Sequence, residues 1–126
     1  MKDKNFKYVI DFLNKHEIFF EGIYDCSTFN KEEFHKYTRA VYELSLLDLT
    51  CEERYKIAIT IWEVSFLIEG FLGSHYNPKD GFFLSNLEEG DPWKINQILH
   101  YTSNWFSYKK PMEEDHLTIG SWKGRK

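Results

Sequence analysis

The hydrophobic pattern of the chain is dominated by one long apolar segment, residues 51–72. Its first turn carries a start signal, because Thr50 can cap a helix and Glu53 lies three residues on, in the capping-box position. Apolar residues cover most of the helical circumference, and only a narrow stripe is polar. A helix of this kind is usually buried between other elements. The pattern therefore predicts a central buried helix over about residues 50–72.

Three further segments show the period of amphipathic helices. Residues 5–15 repeat apolar side chains at i, i+3, i+4 and i+7, and a second pattern follows Asn30, which can cap it. A third begins at Pro92, a residue favoured at the first helical position, with Asp91 as its cap, and it ends near Ser107. The chain is therefore expected to form four helices.

These elements predict a mainly α fold, with residues 1–126 forming a single helical domain around the central helix. The short link at 48–50 predicts that the second helix and the central helix form an antiparallel hairpin. Residues 123–126 are expected to be a frayed tail. Minor short β or irregular structure is expected in one or more of three segments: 17–29, 82–85 and 117–122.

The composition narrows the class of protein. A hydrophobic share of 42% in 126 residues fits a globular protein. The aromatic share of 18% is high, so some rings should reach the surface, where Trp and Tyr favour interfaces. The formal net charge is −4 and the only basic cluster is the short tail, so direct nucleic-acid binding is not expected. An acidic surface suits a basic protein partner.

The sequence also predicts where the protein resides. The N-terminal residues mix acids and bases and have no apolar region of the kind that a signal peptide needs. Lys56, Glu63 and Glu69 interrupt the central segment, which argues against a membrane span. Cys26 and Cys51 are too few for a disulfide framework and are expected to be reduced thiols. We therefore expect a cytoplasmic protein that is not associated with a membrane.

Residues that could carry catalysis are scattered along the chain. The five histidines have no metal-binding spacing and the glycines form no phosphate-binding motif, so no metal or cofactor is expected. Cys51 lies at a predicted helix N-terminus, Glu69 on a flank expected to be at least half covered, and His75 in a predicted loop. Each also has a purely structural interpretation. No enzymatic activity is expected; the alternative is a small helical enzyme or ligand-binding domain with a site assembled from these three residues.

Acidic and aromatic residues alternate around the last predicted helix. Two acidic loops, 88–91 and 113–115, bracket it, and aromatic side chains lie on its outer face. Charges that steer a partner and aromatics that act as hot spots are typical of protein-binding surfaces. The alternative is that these are solvated loops and core aromatics. The predicted partner-binding residues are Glu88, Glu89, Asp91, Trp93, Tyr101, Tyr108, Glu113, Glu114 and Asp115.

A small, acidic, aromatic-rich chain without catalytic residues resembles the immunity proteins of bacterial polymorphic toxin systems, in particular those of contact-dependent growth inhibition pairs. The resemblance is one of type and covers the whole chain, and no residue role is carried over from it. It implies tight one-to-one binding to a cognate toxin domain, often a nuclease, either by plugging its active site or by blocking its substrate or partner surface. A regulatory subunit of a larger complex would differ only in the identity of its partner.

Overall fold

Four helices form the framework of the computed structural model, which describes residues 2–12, 19, 23, 28–77, 79 and 84–108. The mainly α fold class is therefore confirmed. Buried apolar residues from all four helices form a single hydrophobic cluster. The helices are α1, Lys2–Ile10; α2, Lys31–Ser45; α3, Cys51–Tyr76; and α4, Asp91–Tyr108.

No strand occurs in the part of the chain that the structure describes. In segment 17–29, Phe19 and Ile23 have helical conformation, and in segment 82–85 the described residues form no β pairing. Segments 117–122 and 123–126 lie outside the described residues, so the expectations for a short strand and a frayed tail there stay predictions.

Helices α2 and α3 begin where their capping signals predict. The Asn30 side chain accepts a hydrogen bond from the Glu33 N–H at 3.0 Å. At α3 the capping box is complete, since Thr50 Oγ1 accepts from the Glu53 N–H at 3.1 Å and the Glu53 carboxylate accepts from the Thr50 N–H at 2.9 Å. These bonds satisfy N–H groups that have no partner within the helix, which fixes the start of each helix locally.

Other helix boundaries differ from the sequence pattern. Helix α3 continues to Tyr76, because Gly73 costs only about 1 kcal/mol in a helix and does not end it. The last turn is tied to the following segment, since His75 Nδ1 accepts a hydrogen bond from the Leu84 N–H at 2.9 Å. At α4, the Lys94 N–H donates to the Gly90 carbonyl at 3.1 Å, so the helix begins one residue before the predicted start.

Helix α1 packs against both α2 and α3, and α4 also packs against both. Two hydrogen bonds join α1 to α2: Asn5 Nδ2 donates to Glu43 at 2.8 Å, and the Tyr8 hydroxyl donates to Glu33 at 2.9 Å. Helices α2 and α3 contact each other only marginally, so the predicted hairpin is wrong. The link between them carries a buried Leu49, and α1 and α4 take the places beside α3 that α2 was expected to fill.

A cluster of aromatic rings fills the core beside α1 and α2. Phe12 lies 4.5 Å from Tyr37 and 5.5 Å from Phe19 between ring centroids. Phe29 lies 5.2 Å from Phe19 and packs edge-on against it. Many of the aromatic residues therefore belong to the core. Tilted and edge-to-face ring pairs stabilise the fold by more than their buried area alone would.

Two tyrosine hydroxyls near this cluster differ in their surroundings. Burial, together with the hydrogen bond and the negative charge of Glu33, raises the pKa of Tyr8 above its ordinary value. Burial alone raises the pKa of Tyr37, whose hydroxyl is enclosed and has no hydrogen-bond partner among the described residues. A buried hydroxyl without a hydrogen-bond partner is unfavourable, so the hydroxyl of Tyr37 lowers the free energy of unfolding.

Replacing Tyr37 with phenylalanine should therefore stabilise the fold. We expect Tyr37→Phe to raise the free energy of unfolding by about 1 kcal/mol, because it removes an unpaired buried hydroxyl and keeps the ring. Urea denaturation of the purified variant measures the change. The matched control, Tyr8→Phe, deletes a hydrogen bond to a carboxylate and should lower the free energy of unfolding by about 1.5 kcal/mol. Destabilisation of the Tyr37 variant would contradict the prediction.

Candidate functional site

Helix α3 has two apolar sides, and only one of them is covered. The buried side contacts the core through a stripe of aliphatic residues: Ile57, Ile61, Val64, Ile68 and Leu72. On the other side Tyr55, Trp62 and Phe66 are 67%, 66% and 65% exposed, and Ile59 is exposed as well. The expectation that most of the circumference is buried is met for the first side and not for the second.

The exposed side forms a continuous surface, here called the α3 face: Tyr55, Ile59, Trp62 and Phe66. These positions are spaced by four, three and four residues, so they line up along one side of the helix. The rings of Trp62 and Phe66 stack with centroids 5.5 Å apart and planes inclined by 12°. Large exposed apolar patches with polar borders mark interaction sites.

Polar and small residues surround the α3 face. Towards the helix N-terminus, Lys56 forms an ion pair with Glu52 at 3.2 Å, and both side chains are exposed. Exposed Glu63 borders the aromatic pair, and Glu69 lies towards the C-terminus. Glu69 is exposed as well, on the side of α3 that faces solvent.

Helix α3 is also long and apolar enough, by length and composition, to cross a membrane. One third of the relevant window is buried in the fold. The core helix of a water-soluble protein passes the same test, and the buried stripe of α3 has that role. The apolar length of α3 is therefore weak support for membrane insertion.

A second surface lies where the loop before α4 meets the helix. Glu88, Glu89 and Trp93 are exposed there, with 63% of Trp93 accessible, and these three residues are called the acidic loop surface. The Asn86 side chain fixes the loop by bonding both backbone groups of Phe29: it accepts from the N–H at 2.8 Å and donates to the carbonyl at 2.7 Å. This part of the surface is therefore held in place by the core.

Asp91 does not belong to the exposed surface. Only 1% of the residue is accessible, and its carboxylate lies 2.8 Å from Lys31 Nζ and accepts a hydrogen bond from the Glu88 N–H at 2.9 Å. The predicted solvent exposure of Asp91 is wrong, because its charge is used to join the starts of α2 and α4. A paired and hydrogen-bonded buried carboxylate is a structural element.

The other predicted binding residues are only partly placed. Tyr101 is half-buried on α4, and Tyr108 ends that helix with a side chain outside the described set. Glu113, Glu114 and Asp115 lie outside the described residues. The α3 face was not predicted from the sequence, although the spacing of its four residues is visible there, because a helix that is apolar on most of its circumference is expected to be buried. Lys31 was not predicted either, because no local signal for it exists.

The alternative site does not assemble from its three candidate residues. Cys51 is exposed at the start of α3 and precedes Glu69 by eighteen residues, about 27 Å along the axis. His75 lies further on, and its Nδ1 accepts the Leu84 N–H. Cys51 therefore cannot share a site with the other two. Among the described residues, no three His, Cys, Asp or Glu side chains are grouped to hold a metal ion.

Comparisons with protein-family models, with curated proteins and with solved structures found no significant match.

The Asp91–Lys31 pair should be a major contributor to stability. We expect Asp91→Asn to lower the free energy of unfolding by about 3 kcal/mol, because it leaves the largely buried Lys31 charge without its anion while keeping an acceptor for the Glu88 N–H. Chemical denaturation measures the cost. The double variant with Lys31→Met should lose less than the sum of the two single changes.

The control for this experiment is Glu89→Gln, which makes the same chemical change at an exposed position. It should alter stability by less than about 0.5 kcal/mol. Equal costs for the Asp91 and Glu89 variants would show that the buried ion pair does not stabilise the fold.

Proposed function

We propose that this protein is a cytoplasmic inhibitor of the immunity type, which binds a cognate toxin domain one to one and neutralises it. The toxin domain that we favour is a nuclease, because such domains have basic substrate-binding surfaces that an acidic protein complements. The inhibitor contributes no chemistry of its own. It acts by occupying the surface that the toxin needs for its substrate.

The observation that carries this proposal is the acidic loop surface. Trp93 offers a large exposed ring at the start of α4, and the exposed carboxylates of Glu88 and Glu89 lie five and four residues before it in the chain. Aromatic anchors bordered by charges are the residues that dominate the energy of protein interfaces. The net charge of the whole chain, −4, also favours a basic partner.

The anchoring of the loop supports the same function. The bonds from Asn86 to Phe29 and from Asp91 to Lys31 hold the loop before any partner arrives. A pre-organised surface loses less conformational entropy on binding, which favours high affinity. The carboxylates then speed the encounter with a basic partner, and Trp93 slows dissociation by filling a pocket.

The first experiment identifies the partner. The protein is co-expressed with the domain encoded by the neighbouring upstream gene, and growth and co-purification are measured. We expect the upstream domain to be toxic alone and harmless in a stable one-to-one complex. Absence of toxicity together with absence of any complex would contradict the proposed function.

The second experiment tests the surface. With the purified toxin domain, Glu88→Lys combined with Glu89→Lys should slow association at low salt by about tenfold or more, because electrostatic steering is reversed. Trp93→Ala should raise Kd by about thirtyfold, mainly through faster dissociation, as expected for a hot spot of about 2 kcal/mol.

A matched control separates local from overall charge. Asp3→Lys combined with Asp48→Lys reverses two exposed acids away from the start of α4, and each reversal adds two charges, so both double variants go from −4 to 0. Only the Glu88 and Glu89 reversal should slow association strongly. Equal slowing by both pairs would show that the acidic loop surface is not the contact site.

A further inference from the structure

Two glycines on the exposed side of α3 pack against no other part of the chain that the structure describes. Gly70 and Gly73 are exposed, and a Cβ atom built on either would meet nothing within 4 Å. Glycine lowers the stability of a helix interior relative to alanine, so bare backbone here is a local cost. Both residues continue the line of the α3 face towards its C-terminal end. Another molecule that packs closely against the backbone of α3 would fill this space.

The α3 face is therefore asymmetric along its length. Its N-terminal end carries the bulky Tyr55, and its C-terminal end is the bare backbone of Gly70 and Gly73. Bulk at one end thus corresponds to space at the other.

We propose that the α3 face is an interface between two copies of this chain, packed antiparallel about a two-fold axis. Inverting one copy places Tyr55 over the glycine end of the second copy. The stacked pair Trp62 and Phe66 then meets its equivalent at the centre. A two-fold axis makes each of these contacts twice, as in most homodimers.

The buried area suffices for a reversible dimer. Aromatic side chains bury about 150–250 Å² each, so the three rings of the α3 face, which are two-thirds exposed, together with Ile59 offer up to about 500 Å² per copy. Two copies would bury up to about 1,000 Å², the low end of specific interfaces.

The primary test is the mass of the full chain in solution. Sedimentation equilibrium across about 1–200 µM should show a mass that rises from 15.2 kDa towards twice that value. A monomer over the whole range overturns the proposal. In that case, binding to equimolar phosphatidylcholine and phosphatidylglycerol vesicles would assign the α3 face to a membrane, and no binding would leave it to a protein of another kind.

Filling the glycine space distinguishes the interface from a general stability effect. Gly70→Gln combined with Gly73→Gln should weaken dimerisation by at least about tenfold, while the thermal midpoint of the monomer stays the same or rises, because glutamine favours helix. The control, Asn96→Gln with His100→Gln, places the same side chains on exposed positions of α4 and should leave the dimer unchanged. A Gly70 and Gly73 variant that dimerises as strongly as the natural chain overturns the proposal.

The dimer and the proposed inhibitor function can fail separately. The acidic loop surface and the α3 face share no residue, so the Gly70 and Gly73 variant should still bind the toxin domain. Conversely, Trp93→Ala should leave the mass distribution unchanged. A natural chain that dimerises and binds no toxin domain contradicts the inhibitor function alone, and a natural chain that binds the toxin domain and stays monomeric contradicts the dimer alone.

Discussion

The rest of the structure depends on how α3 is shared between core and surface. One side of the helix packs Ile57, Ile61 and Val64 into the single hydrophobic cluster, while the opposite side presents Trp62 and Phe66 to solvent. Helices α1 and α4 both pack on α3, and α2 completes the domain from the far side of these two. Among the described helices, only these two pack closely on α3, and they leave its second apolar side uncovered.

A second constraint acts at the other end of the fold, where buried polar contacts set the surface. The Asp91–Lys31 pair and the bonds between Asn86 and Phe29 join the start of α4 to the start of α2. Each contact buries a charged group or a polar backbone group, and such groups are stable inside a protein only when they have their ionic or hydrogen-bonding partners. The same contacts hold Glu88, Glu89 and Trp93 outward. The contacts that satisfy the buried polar groups of this loop therefore also hold its exposed side chains in place.

The two surfaces suit different kinds of contact. The acidic loop surface has charge and one aromatic anchor, which favours a steered encounter with a basic partner. The α3 face is mainly apolar and ends in bare backbone, which favours close helix-to-helix packing. A protein that inhibits by occupation requires a rigid binding surface and no reactive group. Cys51 lies about 27 Å along α3 from Glu69, so the three candidate residues of the alternative site are not brought together.

Local signals determined much of the fold from the sequence alone. Asn30, Thr50 and Glu53 specify helix starts through bonds within four residues, so α2 and α3 begin where the pattern indicates. The exposure of Glu88, Glu89 and Trp93 was also predictable. Tertiary structure decided the rest: the partner of Asp91 is Lys31, sixty residues away, and the exposure of Trp62 depends on which helices pack beside α3. Periodicity states that a side is apolar, and only packing decides whether anything covers it.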